Sequence, residues 1–244
     1  MEFDVGIFFD QLKNFDYARG AMLSLGVAAL SLVLAVAIGF PVALGKTSSR
    51  PLYRALASLY IWFFRAIPAL LVLLIIWNSF PQMFPVFRES WFSPFIAATV
   101  GLGLVEAAFM AEIIRASLLS VDEGQYLAAR ALGMTPTTVM RKVVLPQVIR
   151  IALPPTGNEF IGLVKYSSLA SVISLRELLT TAQVGVNTTF RYAEYYSVAI
   201  VYYLVIVSAL TVLQGVVERR FTWTSRGKSK TEVVADPATE GALA

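Results

Sequence analysis

Two charged residues stand in an otherwise apolar stretch near residues 151–175, and their chemistry suits recognition of a small zwitterion. They are Glu159 and Lys165. A charge inside a bilayer costs roughly 3 kcal/mol on insertion scales, so such residues normally face a cavity or a partner. A carboxylate and an ammonium complement the two backbone charges of a free amino acid. The stretch therefore predicts a contact point for a polar solute.

The spacing of these charges separates them on a helix. Residues six apart do not stack as residues three or four apart do. Asn158, Gly162 and Lys165 share one helical face, whereas Glu159, Gly162 and Tyr166 line an adjacent face. A position at the membrane border, or pairing with a neighbouring helix, would also accommodate either charge. We favour the lining of a solute path.

Other charges in the apolar runs have simpler interpretations. Glu112 and Arg115 are three residues apart and can pair on one helix face. Arg65 is expected to anchor at the membrane interface, where a long basic side chain reaches water. Pro68 could kink its helix and open backbone groups toward a cavity. Glu106 lies deeper in the run that contains Glu112 and could face the path.

The residue inventory excludes several kinds of active site. The chain has no cysteine and no histidine, which excludes disulfides, zinc sites built on those residues and Ser/His or Cys/His catalysis. A hydrolase built on Lys165 and Ser167 is disfavoured, because residues two apart do not share a helical face. A proton-coupled transporter using Glu112 or Glu159 stays an alternative, although the inverted repeats typical of that class are not visible. No basic patch with interleaved aromatic residues indicates nucleic-acid binding.

Long, predominantly apolar runs predict five membrane-spanning helices in an all-α membrane protein. The 244 residues are 57% hydrophobic and 15% charged, below the roughly 25% charged of soluble domains. One span needs roughly 20 apolar residues. The first ten residues are acidic and lack a basic segment, so no cleavable signal peptide is expected. The expected spans are residues 20–45, 66–87, 94–117, 151–175 and 195–217.

Three parts are expected along the chain. Residues 1–19 predict an amphipathic lead-in at the membrane surface. Residues 20–223 form the membrane domain, which includes a polar loop at 118–150. Residues 224–244 are polar and charged without periodicity, which predicts a disordered cytoplasmic tail.

The polar segment 122–146 predicts two short helices joined by a turn. Asp122 can cap the first helix, and Gln125, three residues on, can reach back in a capping box. Gly133 is the expected stop, because glycine adopts the left-handed conformation without steric cost. Thr135, followed by a proline, predicts the second cap. The proline that closes the segment is expected to end the second helix.

Basic residues set the expected orientation, because short cytoplasmic loops are enriched in lysine and arginine. The opposite loops hold few basic residues, and the richer set is therefore expected inside, with the N-terminus outside and the C-terminus inside. The richer set is Lys46, Arg50, Arg54, Arg115, Arg130, Arg141, Lys142, Arg150, Arg219, Arg220, Arg226, Lys228 and Lys230.

The polar segment and its flanks resemble the membrane subunit of bacterial ABC importers, in particular the polar amino-acid permeases. That family's loop carries Glu-Ala-Ala, then a glycine, then Leu-Pro; this chain has the alanines, the glycine and the Leu-Pro in register, with Leu127 in place of the glutamate. The matching elements are Gly124-Gln125, Ala128-Ala129, Ala131-Leu132-Gly133-Met134, Leu145-Pro146-Gln147, Leu153-Pro154-Pro155, Gly157-Asn158-Glu159-Phe160 and Ser167 to Ile173, with Phe64-Arg65 and Pro68 upstream.

The resemblance implies a type I importer permease fold and gives roles to three sets of residues. The expected ATPase-coupling residues are Gly124, Gln125, Ala128, Ala129, Ala131, Leu132, Gly133, Met134, Thr135 and Pro136. The expected substrate-pathway residues are Asn158, Glu159, Gly162, Lys165, Tyr166, Ser167 and Ser168. The expected structural hinge residues are Arg65, Pro68, Glu112, Arg115 and Pro146.

The resemblance also implies partners in the bacterial inner membrane. These are a cytoplasmic ABC ATPase dimer, a second permease subunit of the same or a homologous kind, and an extracytoplasmic amino-acid-binding protein. The chain lacks a complete phosphate-binding loop of the form Gly-x4-Gly-Lys-Ser/Thr, so ATP and Mg are expected on the partner and no cofactor is expected on this chain. The variants at Arg65 to Pro68 and at Glu106-Ala107-Ala108 look most like glutamate/aspartate permeases. Glu159 favours cationic side chains instead.

Overall fold

The computed structural model describes residues 3–221, and within that range every regular element is helical. Short π-helical or 3-10 turns lie at 75–79, 85–88, 140–144 and 167–173. The α-helices are α1 (Val5–Leu12), α2 (Phe15–Thr47), α3 (Pro51–Ala66), α4 (Ala69–Leu74), α5 (Phe80–Met83), α6 (Pro94–Leu119), α7 (Glu123–Ala131), α8 (Pro136–Val139), α9 (Leu145–Tyr166), α10 (Leu178–Thr189) and α11 (Tyr192–Phe221).

Three helices in the described part of the chain are long and apolar enough to cross a membrane. They are α2, α6 and α11, which correspond to the expected spans at 20–45, 94–117 and 195–217. A fourth span results if α3 and the helical run that follows it are taken as one bent span. The expected span at 151–175 is helical as far as Tyr166, but it is not among these helices. A count of five spans therefore stays a prediction.

The largest interface between helices joins α2 to α6. Gly39 of α2 lies against the backbone of α6: a Cβ built there would stand 3.0 Å from the Ala107 carbonyl oxygen and 3.0 Å from the Ala111 nitrogen. Small residues allow membrane helices to approach this closely. The sequence predicts Gly39 as a helix-packing residue, and the structure confirms it.

The core next to the bend of α3 gathers residues from several helices. Leu73 of α4, Leu102 of α6 and Leu163 of α9 are almost fully buried together. Val27 of α2 and Ile173 of the 3-10 turn belong to the same cluster. The elements that carry the expected pathway residues are thus fixed against the main α2–α6 pair.

The chain bends by 98° between α3 and the helices after it. Ile67 adopts an extended conformation, with φ −96° and ψ 143°, because a residue that precedes proline is driven away from the helical region. Pro68 then caps α4. The kink expected at Pro68 is confirmed.

The sequence predicts that Pro81 and Pro85 close the helix of the run 66–87 and that Pro146 ends the second hairpin helix. Pro81 and Pro146 do not end a helix. Pro81 lies in the first turn of α5 and closes nothing, because the first turn of a helix does not need the missing N–H. Pro85 does follow the end of α5. Pro146 also lies in the first turn of its helix, α9, which continues directly from α8 through the π turn. The expectation that Pro146 ends the second loop helix is therefore wrong.

The N-terminal lead-in is hydrogen-bonded to helix α11, near the other end of the described chain. Asp4 accepts a hydrogen bond from the Ile7 backbone N–H at 3.1 Å and so caps α1. Its own backbone N–H donates to Glu194 of α11 at 3.0 Å. The first membrane helix begins at Phe15, five residues before the expected boundary. The tail expected to be disordered, 224–244, lies outside the described residues.

Candidate functional site

The polar segment forms a helical hairpin of α7 and α8, and the sequence sets its ends. Asp122 caps α7 by accepting a hydrogen bond from the Gly124 N–H at 2.6 Å. Thr135 caps α8 by accepting from the Thr138 N–H at 3.3 Å. Gly133 between them has φ +81°, in the left-handed region. All three local predictions are confirmed.

The capping box expected at Gln125 is absent from the hairpin. The Gln125 side chain instead accepts a hydrogen bond from Gln147 Nε2 at 2.5 Å, and Gln147 also donates to the Val143 carbonyl at 2.8 Å. The first residues of α9 lie beside α7, so a partner distant in sequence takes the place of the local one. The pair joins the first turn of α7 to the first turn of α9.

One of the expected coupling alanines lies inside the hairpin. Ala129 is 6% exposed and packs with Val139, Val144 and Val148. Its small side chain therefore lets α7 approach the helix that follows it. A position on an outward-facing surface, expected from the sequence, is wrong for Ala129.

The opposite side of α7 carries apolar residues that nothing in the described chain covers. Leu127 is 60% exposed and Leu132 is 80% exposed. Ala128 and Ala131 beside them are also exposed. We refer to these four residues as the docking face. A contiguous apolar surface on a polar hairpin indicates a site for a partner protein.

Gly133 provides a prediction about this hairpin. Gly133→Val is expected to destabilise it by about 1–3 kcal/mol, because a β-branched residue is strained at positive φ. Gly133→Asn is the matched variant, since asparagine tolerates the left-handed region. Limited proteolysis of the folded protein should cut the valine variant in the hairpin faster than the wild type or the asparagine variant. Equal rates for the two variants would show that the conformation of Gly133 is unimportant.

A second feature is a cavity of about 310 Å³ on the inner side of the bend at Pro68. Residues of α3, α4, α6, α9 and the turn at 167–173 line it. Most of its lining is apolar. The residues with polar, charged or aromatic side chains at its wall are Phe64, Arg65, Glu106, Phe109 and Tyr166.

Two carboxyl groups meet beside this cavity. Glu106 of α6 is 3% exposed, and Glu159 of α9 is its electrostatic neighbour. Arg65 also lines the cavity, with its guanidinium carbon 5.3 Å from the ring centroid of Phe109, a cation–π geometry. Arg65, expected as an interfacial anchor, thus also contributes to a charged cavity.

The expected pathway residues divide among several places. Glu159 and Tyr166 are at or beside the cavity, as Pro68 and Arg65 from the hinge set are. Asn158 instead faces α11, where its Oδ1 accepts from Gln214 Nε2 at 3.1 Å. The remaining residues of the set are not in the cavity lining: Gly162, exposed Lys165, fully buried Ser167, and Ser168, whose hydroxyl donates to the Lys165 carbonyl at 2.7 Å.

The pairing expected in the hinge set is confirmed. Arg115 Nη2 lies 2.7 Å from Glu112 Oε2 in an i, i+3 ion pair. Both side chains are partly exposed, at 30% and 25%. The pair joins two turns of α6 just before the hairpin.

Glu106 is the carboxyl group in the cavity lining, and the expected pathway set leaves it out. The sequence signal for it exists, because this carboxyl stands among the apolar residues of α6, six residues before Glu112. Its partner Glu159 is 53 residues away, and no spacing rule connects the two. Only the approach of α6 to α9 shows that they belong to one site.

Comparison with known proteins gives consistent results. Residues 35–223 match the family described as "Binding-protein-dependent transport system inner membrane component". The chain is 38% identical over 197 residues to a probable amino-acid permease protein, YxeN, of Bacillus subtilis, covering 81% of this chain and 87% of that protein. It is 35% identical over 240 residues to the arginine transport system permease protein ArgU of Corynebacterium glutamicum, covering 93% and 75%.

A solved structure has the same fold. The crystal structure of an amino acid ABC transporter with histidines matches with a TM-score of 0.79 and 36% identity. The match covers 90% of this chain and 100% of that one. The helical architecture described above is therefore the architecture of that transporter's matching chain.

Proposed function

Because this chain belongs to the family of binding-protein-dependent transport system inner membrane components and is a permease of the amino-acid ABC importer kind, we propose that it forms part of a translocation path and couples it to a cytoplasmic ATPase through the α7–α8 hairpin. The observation that supports the coupling role is the docking face. Its four apolar side chains project from a hairpin whose other side is already buried. A groove in a partner is the environment that such a helix face requires.

The ATPase is a separate subunit in this proposal. Gly45-Lys46-Thr47 repeats the last three residues of a phosphate-binding loop, but Phe40 stands where that loop has its first glycine. These residues also end helix α2, whereas phosphate binds at the beginning of a helix. Two ATPase subunits in the cytoplasm, a second permease and an extracytoplasmic binding protein complete the importer.

The orientation follows from the same scheme. The hairpin and the C-terminus lie in the cytoplasm, and the N-terminus lies outside the inner membrane. The excess of basic residues in the hairpin and its neighbouring loops supports this placement. Cysteines introduced singly at Thr137 and Glu89 should be labelled by impermeant reagents from opposite sides of the membrane.

Polar amino acids are the proposed cargo, and two charge classes compete. Glutamate or aspartate is the expectation from the motif variants at residues 65–68 and 106–108, and it stays a prediction. Cationic amino acids are the second candidate. Glu106 and Glu159 side by side favour this class, and an arginine transport permease is among the similar proteins.

Uptake into reconstituted vesicles tests the proposal. The permease is expected to accumulate amino acid only with its ATPase, its binding protein and ATP on the cytoplasmic side. A proton gradient alone should drive no uptake. Uptake by the isolated chain in a proton gradient without ATP would instead support the proton-coupled alternative.

A further inference from the structure

A separate cavity, of about 270 Å³, lies where the N-terminal lead-in, the start of α2, and helices α10 and α11 meet. The importer scheme above gives it no role. Tyr17 of α2 fixes one side of this cavity, because its hydroxyl donates a hydrogen bond to the Tyr195 carbonyl of α11 at 3.3 Å. Both tyrosines are buried. The cavity therefore belongs to a packed corner of the fold.

Two arginines from separate parts of the chain line this cavity. They are Arg19 of α2 and Arg176, which lies just before α10. Their neighbours in sequence pack closely: a Cβ built at Gly20 would stand 3.0 Å from the Leu178 Cα and 3.0 Å from the Leu178 nitrogen. Glycine permits this approach because it has no Cβ. The contact between α2 and α10 thus brings both guanidinium groups to one cavity.

The positive charge of the lining is not neutralised by its surroundings. Neither arginine takes part in an ion pair within residues 3–221. Glu177, the neighbour of Arg176, is fully buried, and its carboxylate accepts hydrogen bonds from two backbone N–H groups at the start of α10, at 2.8 and 2.7 Å. Asp16 is the acidic side chain in the lining and offsets one of the two positive charges. The remaining charge of +1 favours an anionic ligand.

The lining also has an apolar part. Leu23 of α2 and Val184 of α10 belong to it. Leu23 follows Arg19 by four residues, which is about 6 Å along a helix, in the direction in which α2 crosses the membrane. A ligand that fills the cavity therefore meets positive charge at one end and apolar side chains at the other.

Exposed aromatic side chains place the cavity at the edge of the bilayer. Phe9 of α1 is 50% exposed, and Phe15, the first residue of α2, is 71% exposed. A short helix that exposes such side chains beside a span is typical of the boundary between lipid headgroups and acyl chains. Phospholipids are the molecules that carry both a charged group and an apolar chain at this depth.

We propose that the cavity binds the headgroup of an anionic phospholipid. Arg19 and Arg176 receive the phosphate, to which a guanidinium donates paired hydrogen bonds. Leu23 and Val184 contact the first carbons of an acyl chain. The volume of about 270 Å³ is below the roughly 300 to 1,000 Å³ of pockets that enclose a whole ligand, and it suits a headgroup whose chains stay in the bilayer. The inference is independent of the cargo and of the coupling role.

Photolabelling of the permease–ATPase complex locates the lipid directly. The complex, in phosphatidylethanolamine vesicles, would receive phosphatidylglycerol with a photoreactive group near the glycerol end of one acyl chain. Peptide mapping is expected to find the label on α2 around Leu23 or on α10 around Val184. An excess of unlabelled phosphatidylglycerol should suppress this labelling, whereas phosphatidylcholine should not. Label found only elsewhere, or equal suppression by the two lipids, would overturn the inference.

Inorganic phosphate distinguishes a lipid from a free anion. Because the apolar end of the cavity contributes to binding only when an acyl chain is present, added phosphate is expected to leave the labelling unchanged. Suppression by inorganic phosphate as complete as that by phosphatidylglycerol would mean that the cavity holds a free anion, and the lipid assignment would be wrong.

Charge-neutral variants identify the residues responsible. Arg19→Gln and Arg176→Gln should each reduce labelling about fivefold, because each removes one positive charge from the phosphate. Both side chains are exposed, so the variants should fold, and co-purification with the ATPase confirms it. Lys13→Gln, at an exposed lysine of the lead-in outside the lining, is the matched control and should leave labelling unchanged. Full labelling in both arginine variants contradicts the inference; if docking of the extracytoplasmic binding protein is weakened instead, the cavity is a protein contact.

Discussion

Replacing Leu132 by glutamate is expected to abolish attachment of the ATPase and reduce ATP-driven uptake more than 100-fold. Leu132 is 80% exposed at the end of α7, so the chain should fold with the substitution. At an interface, the new carboxylate would be buried without a partner, which costs several kcal/mol, and every 1.4 kcal/mol lowers affinity tenfold. Co-purification of the ATPase with the detergent-solubilised permease measures the first effect, and vesicle uptake measures the second.

Thr137→Glu supplies the control for this prediction. Thr137 is also exposed on the hairpin but is not part of the docking face. The same negative charge there should weaken attachment by less than 10-fold. Full attachment and uptake in the Leu132 variant would mean that the ATPase binds elsewhere on the permease.

Replacing Gly39 by leucine is expected to leave little folded protein in the membrane. The position leaves a Cβ little space, because two of its three contacts at 3.0 Å are with backbone atoms of α6, and backbone cannot rotate aside as a side chain does. The substitution must separate α2 from α6 along their shared interface. Overpacking typically costs 1–3 kcal/mol and occasionally more, and a roughly 3 kcal/mol loss lowers Tm by about 6–12 °C in a chain of this size. Thermal unfolding monitored by circular dichroism measures this decrease in Tm.

Gly26 on the same helix is the matched position. A Cβ built there lies 3.5 Å from the Phe95 ring, an ordinary contact. Gly26→Ala should therefore be neutral or stabilising by up to about 1 kcal/mol, since alanine favours the helix over glycine. Gly39→Ala should be destabilising. Indistinguishable melting temperatures for the two alanine variants would show that α2 and α6 do not depend on the close approach at Gly39.

The sequence is most informative where one residue controls its own local structure. Asp122, Gly133 and Thr135 act through their own backbone neighbours, and each forms the predicted cap or turn. Pro68 forces Ile67 into an extended conformation by direct steric contact. Long apolar runs likewise predict α2, α6 and α11, because a span requires continuous apolar length.

Features that depend on tertiary contact could not be predicted in this way. The local sequence offers Gln125 a capping position at the start of α7. Its actual partner, Gln147, is 22 residues away and reaches it only because α9 packs beside α7. Ala129 and Ala128 are neighbours of one type, yet one is buried and the other exposed. The sequence around Pro146 is compatible with either the end or the beginning of a helix. In the structure a π turn leads directly into α9, so Pro146 lies in the first turn of that helix. The Glu106–Glu159 contact joins positions that no periodicity relates.

The absence of a helix end at Pro146 has a mechanical consequence. From Pro136 to Tyr166 the backbone is one helical run without an intervening coil. Helix α8 of the hairpin and Glu159 therefore belong to the same continuous helical segment. Glu159 lies 13 residues beyond Pro146, or roughly 20 Å at 1.5 Å per residue. A tilt of about 10° at the proline would move the carboxyl by roughly 3 Å. Force applied to the hairpin would therefore be passed along this helical run to the part of α9 that lies among the membrane helices.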